Sequence, residues 1–322
     1  AYCQHRSSAQ HAIAYLQRRG VSSAVANRYG LGYAPEGWHG LASVFAQYDD
    51  PLLAESGLVI VNDENPGDVR RYDRFRDRLM FPIRNVKGEC IGFGGRVFGD
   101  EKPKVRKSPE TPVFHKGREL YGLWQVKQAN QKIARLVVVE GYMDVVALAQ
   151  YGVSQAVATL GTATTPDHAE LLFRNSPDVY FCFDGDAAGQ RAAWKALESV
   201  LPRMKDGRQA FFLFLPDGED PDSIVRSEGA AGFDQRLQQA TPLSQFFFDE
   251  LTREINLATL DGKARLAERA KPMLAQIPDG AFGDLMKQEL ARLTGVGRTQ
   301  ASTPSPGFAP RRAAVAPVQK RS

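Results

Sequence analysis

The sequence predicts an α/β protein, α+β when taken over its whole length. A parallel sheet covered by helices on both faces is flanked by an N-terminal, mixed and basic part and by a C-terminal helical part. Three observations predict it. From Arg135 to about residue 230, continuous apolar runs alternate four times with helical patterns, as strands buried on both faces of a parallel sheet must read. From Arg70 to Arg118, fourteen Lys or Arg stand against six Asp or Glu among short β-prone runs. Beyond Thr241 only amphipathic helical periodicity remains. At 322 residues, 43% hydrophobic and 24% charged, the chain has material for two or three subdomains.

Taken in order, residues 6–29 read as two short helices, the first stopping at Arg19-Gly20. "LVIV" at 58–61 suits a strand, and "RLMFPIRN" and "ECIGFGGRVF" pair as a hairpin across Val86-Lys87-Gly88. The glycines of "GFGG" make no dinucleotide fingerprint, because its third glycine would fall on Val97. They mark a bulge or a close backbone approach. Phe93 and Phe98 beside them read as core more than as stacking platforms. Residues 100–119 hold three prolines and little periodicity, an irregular basic segment. The four β–α repeats follow: "LVVVE" and a helix near 142–151; "QAVAT" and "TPDHAELLFRN", with Pro166 at a helix start; "VYFCFD" and a helix over 187–200; "AFFLFLP" and a short helix in "PDSIVRSEG". Three helices close the folded part, the second interrupted near Pro272. The boundaries expected are 1–130, 131–240, 241–297 and a disordered tail over 298–322 rich in Pro, Ser and Ala.

Cys3, Cys90 and Cys182 lie far apart, with neither zinc-ligand spacing nor a disulfide framework. Buried or incidental thiols in a reducing cytoplasm are expected. No apolar run approaches a membrane span and no signal peptide is visible. The positive excess over 70–118 suits a polyanion partner.

The acids carry the chemistry. Glu140 ends the first strand of the α/β unit, and Asp144 follows one helical turn later. Asp184 and Asp186 end the third strand, with no cation beside them, and Asp220 and Asp222 follow the fourth. Any one pair reads equally as a helix cap and turn. An EF-hand is excluded, since its fifth and twelfth positions would be Ala188 and Lys195. Three strands of a parallel sheet nevertheless deliver six carboxylates to one rim, where open α/β sheets bind ligands. Such a cluster is either partly protonated or holds cations. Oxygen ligands without His or Cys select Mg²⁺ or Mn²⁺, the logic of metal-assisted phosphoryl transfer.

"VVVEGYMDVVAL", "FCFDGDAAGQRAA" and "PDGEDPDS" resemble the Toprim motifs, and "EGYMDV" with DGD-x-AG and DPD resembles the bacterial replicative primase family of DnaG type. "YLQRRG", "RFRDRLMFPI", "IGFGGRV" and "SPETPVFHKGRELYG" resemble segments of that family's RNA polymerase core, so the likeness runs from about residue 14 to 230. The resemblance implies a Toprim-type subdomain, and a DNA-dependent RNA polymerase making short primers on a single-stranded DNA template from NTPs, through an RNA–DNA hybrid. It implies Glu140 as a metal ligand and general acid/base, Asp184, Asp186, Asp220 and Asp222 as ligands of two or more Mg²⁺ or Mn²⁺ ions, and Asp144 as a further acid of the site. It implies Lys116 as a required basic residue of catalysis, and Arg96, Lys104 and, through "RRG", Arg19 as nucleic-acid contacts. Family members carry a zinc-binding domain and a C-terminal domain that engages the replicative helicase. No Cys/His cluster is present here, so no zinc is expected, and the helicase-binding domain is expected to lie beyond a chain that stops in a basic tail. A cytoplasmic protein of the replication fork, without membrane contact, is implied. The alternatives are another Toprim enzyme (topoisomerase or nuclease), an aspartyl phosphatase using the DGD acid as nucleophile, or a non-catalytic nucleic-acid module.

Overall fold

A computed structural model describes residues 2–62, 69–99, 103–161 and 163–296. The expected disordered tail lies outside the described residues. Three helices, α1 (Tyr2–Ser8), α2 (Gln10–Arg18) and α3 (Ser23–Arg28), precede a short strand β1 (Gly32–Ala34). Helix α4 (Pro51–Glu55) leads into a two-stranded ribbon, β2 (Val59–Asn62) with β3 (Arg70–Asp73). Strands β4 (Arg78–Arg84) and β5 (Cys90–Arg96) form the expected hairpin at the centre of an antiparallel sheet, with β1 on one side and β6 (Val105–Lys107) on the other. The irregular basic segment therefore contains a strand. Its three residues are too few to show an alternation, and pairing with Gly94–Arg96 is what makes them one.

Helix α5 (Leu123–Ala129) bridges to the second sheet. There β7 (Arg135–Val139), α6 (Tyr142–Gln150), β8 (Ala156–Ala158), α7 (Pro166–Asn175), β9 (Asp178–Phe183), α8 (Ala187–Val200) and β10 (Gln209–Phe214) alternate, followed by α9 (Pro221–Gln238) and β11 (Thr241–Pro242). The order is β11-β10-β9-β7-β8, parallel except for the last-formed edge. The helix that opens at Pro221 ends at Gly229 as expected, since φ 70° and ψ −177° there are not helical, and a further helical stretch then runs to Gln238. One expectation is corrected here. A strand exists at Thr241, which covers the outer edge of β10 at Phe211 and Phe212.

Helices α10 (Leu243–Thr252), α11 (Leu260–Leu274) and α12 (Ala281–Thr294) complete the chain. Pro272 lies inside α11 without breaking it. Both Pro272 and Glu268, whose carbonyl loses its donor, are exposed residues, on the side of the helix open to solvent. No helix among the described residues is long and apolar enough to cross a membrane.

The parallel sheet separates two apolar cores. One joins α6 and α9 to the N-terminal part through Phe81, Tyr121 and Tyr142. The other packs α7 and α8 against α10–α12 through Phe181, Phe212, Phe246 and Phe247. Phe93 and Phe98 pack as core: Phe93 against Tyr2 and Phe75, Phe98 against His11 and Tyr15. The GFGG stretch is the expected close approach. A methyl on Gly94 would stand 2.1 Å from Cε2 of Tyr142, and one on Gly95 2.8 Å from Phe75. The Tyr142 ring is itself held by Tyr121 at 4.6 Å and Phe81 at 5.6 Å. Gly94→Ala is therefore expected to cost about 3 kcal/mol of folding stability, read from the urea midpoint. A shift under about 0.5 kcal/mol would show that the ring gives way freely.

Candidate active site at the switch of the parallel sheet

The sheet order places the acids. The connection from β7 through α6 leads to β8 on one side, whereas β9 and β10 lie on the other, so the order reverses between β7 and β9. That is where an open α/β sheet forms its crevice. Glu140 leaves the end of β7, Asp184 and Asp186 the end of β9, and Asp220 and Asp222 the start of α9 after β10.

Electrostatics tie the six into one cluster. Burial raises the Glu140 carboxyl above its ordinary pKa, and Asp184 and Asp186 raise it further. Asp184 is raised by burial, then by Asp220 and Asp186. Asp144, in the first turn of α6, is pushed up to about 7 by burial and by Asp220, Asp222 and Asp184, against a hydrogen bond from the Gly141 amide. That bond ties Asp144 to the backbone beside Glu140.

Two of these acids also cap helices. Asp186 Oδ1 accepts from the Gly189 amide at 2.7 Å and starts α8. Asp220 Oδ1 accepts from the Ser223 amide at 2.7 Å, in a reciprocal capping box that starts α9. Each spends one oxygen on the fold and keeps the other. Asp222 differs: it is 1% exposed, and its Oδ2 accepts from Arg19 Nη1 at 2.7 Å. Arg226 Nε lies 3.1 Å from Oδ1 but out of line, so this buried oxygen makes no hydrogen bond. Arg19 thus joins the C-terminal end of α2 to the acid site, a pairing across 203 residues.

The acids do not stand as a closed cage. Among the described residues no three His, Cys, Asp or Glu side chains are gathered at metal-ligand spacing. The donor set fits hard divalent cations all the same. It is all oxygen, the carboxyls of Glu140, Asp144 and Asp184 are raised by burial and by their acidic neighbours, and Asp222 Oδ1 is buried without a hydrogen-bond donor.

Cations face this rim from the N-terminal part. A cleft of about 90 Å³ between β5–β6 and the start of α6 is lined by Arg96, Lys107, Glu140 and Tyr142. Lys107 Nζ stands 5.1 Å over the Tyr142 ring, and burial together with the charge of Lys116 lowers its pKa to about 8. Lys116 is therefore in the same neighbourhood. Its loop is pinned to α7 by buried His168, whose Nε2 reaches the Lys116 carbonyl at 2.9 Å. Lys104 sits just before β6, exposed, with its carbonyl bonded to the Val97 amide. Lys107 was not singled out from sequence; the signal lay in the strand pairing that points it inward beside Arg96. A second surface was also missed. Trp38, 57% exposed, carries the Arg76 guanidinium 4.1 Å over its ring, with Tyr72 edge-on at 5.3 Å.

An acid rim at the switch point of a parallel sheet, faced by an arc of Lys and Arg, is a Toprim-type arrangement. Comparison with known proteins carries this further. Residues 2–127 match the family described as DNA primase catalytic core, N-terminal domain, and 137–225 match the Toprim-like family. Residues 244–299 match the DnaB-helicase binding domain of primase. The DNA primase of Pseudomonas aeruginosa is 54% identical over 288 residues, 88% of this chain and 43% of that protein. The DNA primase of Escherichia coli K12 is 51% identical over 284 residues, 88% of this chain and 48% of that protein. The solved E. coli primase catalytic core superposes with a TM-score of 0.87 at 50% identity, covering 91% of this chain and 94% of that one. A DnaG primase catalytic domain bound to single-stranded DNA gives 0.86 at 50% identity, covering 91% and 92%. The chain belongs to the DnaG primase catalytic-core family, a family that uses divalent metal. It spans about half the length of the curated relatives it matches. One expectation is corrected by the match at 244–299: the segment described as helicase-binding lies within this chain, on α10–α12, and not wholly beyond it. A bundle of three short amphipathic helices gives no sequence signal that separates a docking module from packing.

Proposed function

We propose that this chain is the RNA-polymerising core of a replicative primase, making short RNA primers on single-stranded DNA by nucleotidyl transfer from NTPs. The observation that carries the reading is the single electrostatic cluster of Glu140, Asp144, Asp184, Asp186, Asp220 and Asp222 facing the Arg96–Lys107–Lys116 arc. The 3′-oxygen of the growing RNA bonds to the α-phosphorus of the incoming NTP. The bond from that phosphorus to the bridging oxygen breaks, and pyrophosphate leaves.

Glu140, raised in pKa and open to solvent, takes the hydroxyl proton. Asp184, Asp186, Asp220 and Asp222 would hold two or more Mg²⁺ or Mn²⁺ ions, which when bound stabilise the attacking and leaving oxygens. Asp144 positions the Glu140 turn through the Gly141 amide. Lys116 and Lys107 hold the triphosphate. Arg96, Lys104 and Arg19 serve the nucleic acid near the site, and the stacked Trp38–Arg76 surface extends the template track, with base–aromatic stacking its natural use. In this reading residues 1–130 hold template, 131–240 carry out transfer on the RNA–DNA hybrid, and 241–297 meet the replicative helicase at a cytoplasmic replication fork. The likeness to a single-stranded-DNA-bound catalytic domain supports the template assignment.

The test is incorporation of labelled NTPs on single-stranded DNA. Short RNA is expected with Mg²⁺ or Mn²⁺, and absence of product with either ion would overturn the reading. Lys116→Ala separates chemistry from template holding. Only a contact stronger in the transition state changes turnover at saturation. Synthesis at saturating template and NTP is expected to fall roughly a hundredfold, with template affinity retained. Full synthesis at saturation with weakened template binding would move Lys116 into the template track with Arg96 and Lys104.

A further inference from the structure

A second cavity opens on the α8 face of the parallel sheet, with Glu140 as a shared wall. Its volume is about 420 Å³, within the range of small-ligand sites. Arg191 and Lys195, four residues apart and hence on one side of α8, line it together with Thr159 and Thr164. Ala188 and Ala192 on the same side are small, which keeps the space open. Both cations are exposed, and neither makes an ion pair or hydrogen bond among the described residues. They repel each other weakly across one turn, and nothing in the fold uses them. Glu140 is the one acid of the lining.

We infer that this cavity is a second polyphosphate subsite, which takes the 5′-triphosphate of the nucleotide that starts a chain. The inference rests on the reading of the chain as a primer-synthesising core. A polymerase that begins without a primer holds two nucleotides at once. The incoming one loses pyrophosphate. The starting one gives only its 3′-hydroxyl proton and keeps its own triphosphate. Its hydroxyl must lie at Glu140 and Asp184, while the incoming triphosphate takes the Lys107–Lys116 arc, whose Lys107 ammonium stands against Gly161 at the boundary of the two cavities. The starting triphosphate therefore needs cations on another side of Glu140, and Arg191 and Lys195 are there. Along α8 they lie ~6 Å and ~12 Å from its first residue, so they track a chain of phosphates leading away from the rim. Arg supplies a planar fork and Lys a point charge, the two usual ways of holding phosphate oxygens. Once the RNA has lengthened, its 5′ end leaves, and the subsite acts only at the start.

The test is the double variant Arg191→Ala/Lys195→Ala in the full chain. One arm compares dinucleotide formation from two NTPs with extension of a preformed RNA primer carrying a 5′-hydroxyl. The ratio of the first to the second is expected to fall at least tenfold. The advantage of a starting nucleotide supplied as triphosphate over the same nucleoside should vanish. A second arm measures binding of inorganic tripolyphosphate without template or metal in a Lys107→Ala/Lys116→Ala background, where the other cationic seat is gone, and Arg191→Ala/Lys195→Ala is expected to weaken it about tenfold. An unchanged ratio, or equal loss of both reactions, overturns the subsite. If the wild-type chain makes no RNA, the proposed function fails by itself. The tripolyphosphate comparison still decides the subsite, and equal binding overturns it.

Discussion

Asp184→Ala is expected to lower primer synthesis at least about a thousandfold at saturating metal, while the chain stays folded and is as stable as before or slightly more so. The reason is the position of Asp184 among its neighbours. It ends β9 in the middle of the rim and is exposed. Among the described residues it caps no helix and pairs with no arginine. The charges that act on it, Asp220 and Asp186, are both repulsive. Removing a carboxylate with only repulsive partners relieves the metal-free fold. On the proposed function the same removal would take an oxygen ligand from the divalent ions that supply charge neutralisation at the reacting phosphate.

Asp220→Ala should be equally inactive but differs in stability, because it also loses the capping box of α9, about 1 kcal/mol, against the repulsion relieved. Single-turnover synthesis and urea unfolding on the two variants check both halves. Synthesis by Asp184→Ala above a tenth of wild type would remove this carboxylate from the site.

The parallel sheet and its acids were legible in the sequence for one physical reason. Strands buried on both faces must be continuous apolar runs, so β7, β9 and β10 show plainly, and the residue that ends each run shows equally plainly. What the sequence hides is pairing at long range. Asp222 reads as a rim acid like Asp220, yet the fold buries it against Arg19 from α2. Lys107 reads as one more charge in a basic loop until β6 pairs with β5 and turns it toward Glu140. Trp38 and Arg76 stand 38 residues apart and meet only because Asp73 bonds back to the Trp38 carbonyl. The helical stretch beyond the stop at Gly229 escapes a local reading because nothing local says that Phe233 and Leu237 return to the same core as Ile224 and Val225. Local pattern thus locates the elements and their ends, and tertiary contact decides which charges meet.

The unbalanced charge of the site should appear in the pH dependence of stability, with a sign opposite to that of most carboxylates. Asp144 has a folded-state pKa raised from 3.8 to about 7. Below the ordinary carboxylate range it is protonated in both folded and unfolded chains and contributes nothing. As pH rises toward 7, the unfolded chain releases this proton before the folded one does, so stability falls, and the loss is complete once the folded group also ionises. Its full extent is on the order of 2–4 kcal/mol. Glu140 and Asp184, also raised, add in the same direction. Buried His168, with its pKa lowered, acts oppositely at acid pH, so the wild-type curve alone is ambiguous.

Asp144→Asn resolves it, because the amide oxygen still accepts the Gly141 bond while the charge is gone. In EDTA the variant should gain stability over wild type steadily from pH 5 to about pH 7 and hold a constant advantage above. Saturating Mg²⁺ at pH 8 should shrink that advantage, since cations neutralise the same repulsion in the wild-type chain. Urea unfolding of both proteins from pH 5 to 8, with and without metal, measures all three. A wild-type advantage that grows with pH would mean that Asp144 is held ionised by a partner, and the acid cluster would then not be the uncompensated charge on which the metal assignment rests.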